Sequence, residues 1–226
     1  MTSIQAVAVP GEVVLKVPET GLLRLGTGLV LQDDNIVACK AGVVKNSKGH
    51  LWLEGRVKRY IPLEHDVVVG TVVDRFGESY RVDIGGPFMA QLPQLSFEGA
   101  TRRNRPNIKA GDLVYARVVQ ASRDIDPQLS CVDAMGRASG FGALKGGTLI
   151  HVSSALARQL LSSPPAPVLQ ALGSSLQFEI AVGLNGRVWV AADSSKAAVL
   201  VANAITTCEY LTATQTQTLV SRLLQG

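Results

Sequence analysis

The chain has 226 residues, 46% hydrophobic and 18% charged, with 22 Gly and 10 Pro spread along it, so it reads as folded, with room for one to three small domains. Its formal net charge of +4 is a mild basic bias, compatible with an anionic partner and far short of a histone-like tail. No apolar run approaches the roughly 20 residues that span a bilayer, and the first residues lack the basic start and apolar core of a secretory signal, so an intracellular protein without a membrane partner is expected.

In chain order, residues 1–60 read as short strands. Runs 12–17 and 36–40 are rich in β-branched residues, and Asp33-Asp34-Asn35 supplies a turn between 29–31 and 36–37. Residues 45–50 read as a polar loop, and Leu51-Trp52-Leu53 resumes the alternation of a strand. A block this small needs something to lean on.

Residues 61–134 carry strands at 66–73, 79–84, 112–120 and 128–132, with breaks at Phe76-Gly77 and Gly85-Gly86-Pro87 and an irregular basic stretch before the third. Short strands at regular spacing with glycine breaks and one longer irregular insertion indicate a small antiparallel barrel. From 135 to 226 helices enter. Ser153 or Ser154 caps a helix over 155–161, prolines 164, 165 and 167 stop it, and a second helix runs from Pro167 to before Gly173. Strands 177–182 and 187–191 flank the turn Gly183-Leu184-Asn185-Gly186. An amphipathic helix follows over 193–210, and Thr212 with Gln215 forms a capping box for a last one. The expected class is multi-domain, mainly β and then α+β.

Catalytic chemistry is hard to find. His50, His65 and His151 lie in separate blocks, and Asp33-Asp34 and Asp124 with Asp126 sit at turns, where Asp satisfies its own backbone. No P-loop, GxSxG elbow or complete GxGxxG occurs. Cys39, Cys131 and Cys208 are too far apart in sequence for a metal knuckle or a disulfide framework. No catalytic residue, metal or cofactor is expected.

Binding chemistry is easier to see. Small barrels hold single-stranded nucleic acid by stacking bases on aromatics and tracking phosphates with Lys and Arg. Arg75 and Phe76 end the first barrel strand and Tyr80 and Arg81 lie in the second, so the four can share one edge; Phe76 and Tyr80 could equally be core. Arg102, Arg103, Arg105 and Lys109 form the densest positive charge in the chain, either a solvated loop, a protein contact or an RNA phosphate contact.

The run Phe97-Glu98-Gly99-Ala100-Thr101-Arg102-Arg103-Asn104-Arg105-Pro106-Asn107, followed by Gly111-Asp112-Leu113, closely resembles a stretch of the RNA-binding cap subunits of the eukaryotic RNA exosome. Residues 182–190, with Gly183-Leu184-Asn185-Gly186 leading to Trp189, resemble that family's GxNG segment, and Val9-Pro10-Gly11-Glu12 resembles its N-terminal proline-glycine-glutamate motif. The segment 87–93 matches the family less well than its surroundings.

The resemblance implies three parts: an N-terminal β domain over 1–60, an OB-type barrel over 61–134 and a KH domain over 135–226. It implies a non-catalytic subunit seated on a ring of RNase-PH-like proteins beside other cap subunits, in nucleus, nucleolus and cytoplasm. Such a subunit guides single-stranded RNA toward a separate 3′-to-5′ exonuclease, for degradation and ribosomal-RNA processing. Pro10, Gly11 and Glu12 would dock on the ring. Gly183, Asn185 and Gly186 would form a structural turn where KH domain meets barrel, with Trp189 as a buried anchor. A nucleic-acid-clamping KH domain carries GXXG between its helices, and Ser162-Ser163-Pro164-Pro165-Ala166-Pro167 has no glycine there. Two other readings compete: a free-standing RNA-binding translation or chaperone factor, and a nuclease with dispersed acids.

Overall fold

Short β-branched runs broken by Gly and Asp fold into a first unit whose described elements are all strands. The protein's structure, a computed structural model, describes residues 3–18, 23–47, 49–55, 59–122 and 124–225 and divides into the units Met1–Val57 and Lys58–Gly226. In the first, β1 (Ser3–Ala8), β2 (Val13–Lys16), β3 (Arg24–Leu25), β4 (Leu29–Gln32), β5 (Asn35–Ala38), β6 (Gly42–Ser47) and β7 (His50–Glu54) form two sheets, ordered β1-β6-β7-β3 and β2-β5-β4. The residues read as a polar loop at 45–50 are a hairpin instead: Lys45 faces Trp52 and Ser47 faces His50 across β6 and β7, and Lys48 lies outside the described residues. Val44, Leu51 and Leu53 turn inward from these strands to join Leu29, Ile36 and Ala38 in a small core. The unit keeps Val7, Val9, Val13, Val30 and Leu31 exposed, Val7 at 68%.

In the second unit, β8 (Val67–Phe76), β9 (Ser79–Asp83), β10 (Ala90–Pro93), β11 (Leu113–Gln120) and β12 (Gln128–Ser130) close a five-stranded barrel in the order β8-β9-β10-β12-β11. All neighbours are antiparallel except β10 and β12. Its interior holds Val68, Val72, Val82, Leu92, Val114, Ala116, Val118 and Leu129, the inward positions of each alternating strand. Gly70 also points inward, where a Cβ would stand 2.3 Å from the Val82 side chain. Strand β10 falls within the stretch read as irregular.

A sixth strand, β13 (Gly142–Leu144), extends the sheet beyond β11, pairing with Leu113–Tyr115. The remainder is α+β: β14 (Thr148–His151), α1 (Ser154–Leu160), α2 (Pro167–Gly173), β15 (Phe178–Val182), β16 (Arg187–Ala192), α3 (Ser195–Thr207) and α4 (Ala213–Gln225). The three strands order as β14-β16-β15, and the helices pack over them on Leu160, Leu172, Val188, Val190, Val201 and Ile205. Ser153 is the cap of α1, its Oγ accepting from the Leu156 N–H at 3.1 Å. The helix expected over 193–210 starts at Ser195 and gives way to a 3-10 turn at Cys208–Tyr210. The Thr212–Gln215 box forms, with the Thr212 N–H donating to Gln215 Oε1 at 3.0 Å.

Candidate nucleic-acid interface

The β8–β9 hairpin carries its aromatic residue to the very end. Phe76 is 76% exposed, and Gly77 beside it makes the turn at φ +59°. Tyr80, four residues on, goes the other way. It is 2% exposed, stands edge-on to Phe97 at 6.4 Å, and donates its hydroxyl to the Pro106 carbonyl at 2.5 Å. Of the two readings the sequence leaves open for Tyr80, base stacking and core, the structure gives the core and corrects the first: an inward strand position takes the ring inside, and a distant carbonyl satisfies its O–H.

The basic stretch folds into a loop beside this hairpin end. Gln94 spans the two: its backbone N–H donates to Glu78 O at 2.9 Å, its Nε2 to Gly77 O at 3.3 Å, and its Oε1 accepts from Arg105 Nη1 at 3.2 Å. Arg105 also donates through Nε to Arg102 O and through Nη2 to Glu78, at 3.3 and 3.5 Å. Arg102, Arg103 and Lys109 are exposed, and their side chains make no hydrogen bond or ion pair among the described residues. Arg75 is likewise exposed at the hairpin end. Arg81 is forked onto Asp74, which holds that carboxyl below the usual carboxylate range and neutralises the guanidinium where it stands. The structure thus gathers Phe76, Arg75, Arg102 and Arg103 at one end of the barrel. It leaves Tyr80 buried and ties Arg81 and Arg105 to protein.

The turn 183–186 sits on the opposite business of holding the barrel to the α+β part. Asn185 Nδ2 donates to Val69 O at 2.8 Å and to Ile84 O at 2.9 Å, while its Oδ1 accepts from Val69 N–H at 3.3 Å. Gly183 permits this approach, because a Cβ there would lie 2.6 Å from Val69 N, and Gly186 takes φ +76° in the turn. Trp189 is 5% exposed and donates Nε1 to Gly146 O at 2.8 Å; with Val69 and Ala181 it fills the seam. The sequence reading missed Arg187, whose guanidinium donates to Asp83 O and Asp83 Oδ2, each at 2.6 Å. Its only signal was an arginine opening an otherwise apolar strand.

In the first unit, Val9-Pro10-Gly11-Glu12 makes a tight turn. The Glu12 N–H donates to Val9 O at 3.1 Å, the Val9 N–H to Glu12 Oε2 at 2.9 Å, and Gly11 has φ +88°. Proline followed by a positive-φ glycine is the type II pattern. Pro10, Gly11 and Glu12 are all exposed. Among the described residues no group of three or more His, Cys, Asp or Glu could hold a metal ion, and no helix is long and apolar enough to cross a membrane.

A closed five-stranded barrel fused through a GxNG turn to a three-stranded, helix-covered sheet defines an S1-plus-KH protein. Family models agree on both halves: one described as exosome complex component RRP40, S1 domain, matches residues 60–142, and a KH domain model matches 147–196. The exosome complex component rrp40 of Schizosaccharomyces pombe is 45% identical over 213 residues, covering 89% of this chain and 88% of that one. Exosome complex component RRP40 of Drosophila melanogaster is 41% identical over 92% of this chain and 91% of its own length, and that of Homo sapiens 38% over 89% and 76%. A crystal structure assigned as a candidate exosome complex RNA-binding protein shares the fold at TM-score 0.60 and 21% identity, over 74% of this chain and 97% of that one. The chain belongs to the exosome complex component RRP40 family.

Proposed function

We propose that this chain is a non-catalytic, RNA-binding cap subunit of an RNA exosome. Its three parts, residues 1–60, 61–134 and 135–226, divide the work. The N-terminal β domain docks on RNase-PH-like ring subunits through the turn at Pro10, Gly11 and Glu12. The barrel presents Phe76, Arg75, Arg102, Arg103 and Lys109 to single-stranded RNA on its way to a separate 3′-to-5′ exonuclease. The KH domain braces the barrel and neighbouring cap subunits and does not clamp nucleic acid. The protein serves RNA degradation and ribosomal-RNA processing in nucleus, nucleolus and cytoplasm.

The observation that carries this reading is the meeting of an exposed aromatic ring with unpaired guanidinium groups at one end of an S1-type barrel, in a chain whose RRP40 relatives match along most of its length. An exposed ring stacks a base of any identity, for about 1–3 kcal/mol, and unpaired cations follow the phosphates. The apolar skin of the first unit supports docking, since exposed valines and leucines surround a turn built on Gly11. The loop between α1 and α2 supports a bracing role for the KH domain, because it offers prolines where a clamp needs glycines.

The test uses the full chain. Purified alone it should leave RNA intact in the presence of Mg²⁺, and from extract it should recover RNase-PH-like proteins. Recovery of ribosomes or free RNA without such proteins would favour a stand-alone RNA-binding factor. Metal-dependent shortening of RNA by the pure chain would end the proposal. Changing Arg102 and Arg103 together to Glu should weaken binding of a short oligouridylate and flatten its salt dependence, each lost phosphate contact removing about 0.7 from the slope.

A further inference from the structure

We propose that Arg105 is a positioning residue for RNA and not a phosphate contact: it couples the basic loop to the aromatic hairpin end. The inference rests on the reading of this barrel end as an RNA surface, and it deepens that reading by separating residues that touch RNA from residues that hold them.

Sequence alone makes Arg102, Arg103 and Arg105 look alike. Their surroundings do not. Arg105 directs three of its five N–H donors, one from each nitrogen, to protein: Nε to Arg102 O, Nη1 to Gln94 Oε1 and Nη2 to Glu78 Oε1. Its planar fork fits that fan of acceptors, which a single ammonium cannot span. Its charge is partly met by Glu78, at 3.5 Å.

Gln94 gives the contact its reach. It is 1% exposed, so both ends of its amide must be satisfied inside the protein. Its Oε1 accepts a hydrogen bond from Arg105 and its Nε2 donates to the carbonyl of Gly77, the residue after Phe76. A continuous path therefore runs from the loop bearing Arg102 and Arg103, through Arg105 and Gln94, to the turn that presents Phe76. Tyr80 pins the same loop one residue further on, through Pro106 O. Removing Arg105 leaves a buried acceptor on Gln94 and frees the loop from the hairpin. The cations and the ring are then no longer held at one spacing, and binding loses the benefit of preorganisation.

The experiment measures binding of a fluorescent oligouridylate to the full chain by anisotropy across a salt series. Arg105→Lys keeps the charge and loses the fork, Arg105→Gln loses both, and Gln94→Met breaks the path without touching charge. All three are expected to weaken binding by a similar factor, roughly three- to tenfold for one or two lost hydrogen bonds, with the salt slope unchanged. Arg102→Gln should lower that slope by about 0.7. Phe76→Ala should cost less in the Arg105→Lys background than in wild type, because the ring is already unmoored. Thermal unfolding of each variant, with Tyr80→Phe as a second way to loosen the loop, separates lost positioning from lost fold. Wild-type affinity for Arg105→Lys, together with a lowered slope for Arg105→Gln, would make Arg105 a direct phosphate contact and overturn the inference. If Arg102→Gln and Phe76→Ala also bind like wild type, the RNA surface itself falls, and the role of Arg105 with it.

Discussion

The Asn185 side chain clasps the main chain of Val69 from both sides, accepting from its N–H and donating to its carbonyl across 116 residues of sequence. A second proton goes to Ile84 O. Asn185→Ala would strand three backbone groups at a seam already sealed by Trp189 and Ala181. Each unsatisfied buried group costs about 1–3 kcal/mol, so a total loss of roughly 2–4 kcal/mol is expected after relaxation. Urea unfolding measures it, and an unchanged midpoint would show that the clasp contributes nothing.

The Arg187–Asp83 contact predicts a pH dependence. Burial alone would push the Asp83 carboxyl up, but the Arg187 guanidinium and the Gly85 N–H together outweigh it and hold it below the usual range. A carboxyl depressed by folding adds stability that is complete above its unfolded value, near 3.9, and is lost as pH falls through the lower folded value. Asp83→Asn should therefore lower Tm at neutral pH, and the gap from wild type should close in acid below about pH 4. Asp74 and Asp133, also depressed, titrate in both proteins and cancel from the difference. A gap that stays constant with pH would mean the pair is not electrostatically coupled to folding.

Gly11 separates folding from assembly. Among the described residues nothing lies within 4 Å of the position a Cβ would take, so the local strain comes from φ +88°. Gly11→Val should destabilise the isolated chain by only about 1–2 kcal/mol, while recovery of ring partners should fall more steeply. Equal recovery with equal Tm would leave the turn without a docking role.

The three cysteines should react unequally. Cys39 is exposed, Cys131 and Cys208 are buried, and burial pushes the Cys131 thiol up to about 12. An aromatic disulfide reagent should titrate one thiol in the native chain and three in denaturant. Rapid native reaction of Cys131 would mean that the barrel opens readily.

Much of this fold can be read from alternation. The runs at 66–73 and 112–120 declare themselves because one face is packed inside the barrel, and Pro167, the Asn-Gly turn and the Thr212–Gln215 box mark their boundaries by local chemistry. Strand β6 hides because Asn46 puts a polar residue on the face of buried Val44 and Val43 puts an apolar one on the face of Lys45 and Ser47, so the alternation is lost. Strand β10 hides because only Ala90 and Leu92 alternate inward before Pro93 ends it. The site is less legible for a different reason. Tyr80 shares its inward face with Val82, so alternation accounts for its burial, but its hydroxyl's partner, Pro106 O, and the partner that occupies Arg105, Gln94, are announced by no local pattern. Asp83 and Arg187 find each other across 104 residues, beyond the reach of any spacing rule.

The Asn185 clasp reads the peptide groups of Val69 in β8 and of Ile84 just after β9, and none of their side chains. Apart from Val69, whose side chain fills the seam with Trp189 and Ala181, the outward residues of those strands can change over generations and the joint will still close, since every residue but proline brings the same amide. Tolerance of that sort protects the angle between the two modules while leaving the barrel's outer chemistry open to change.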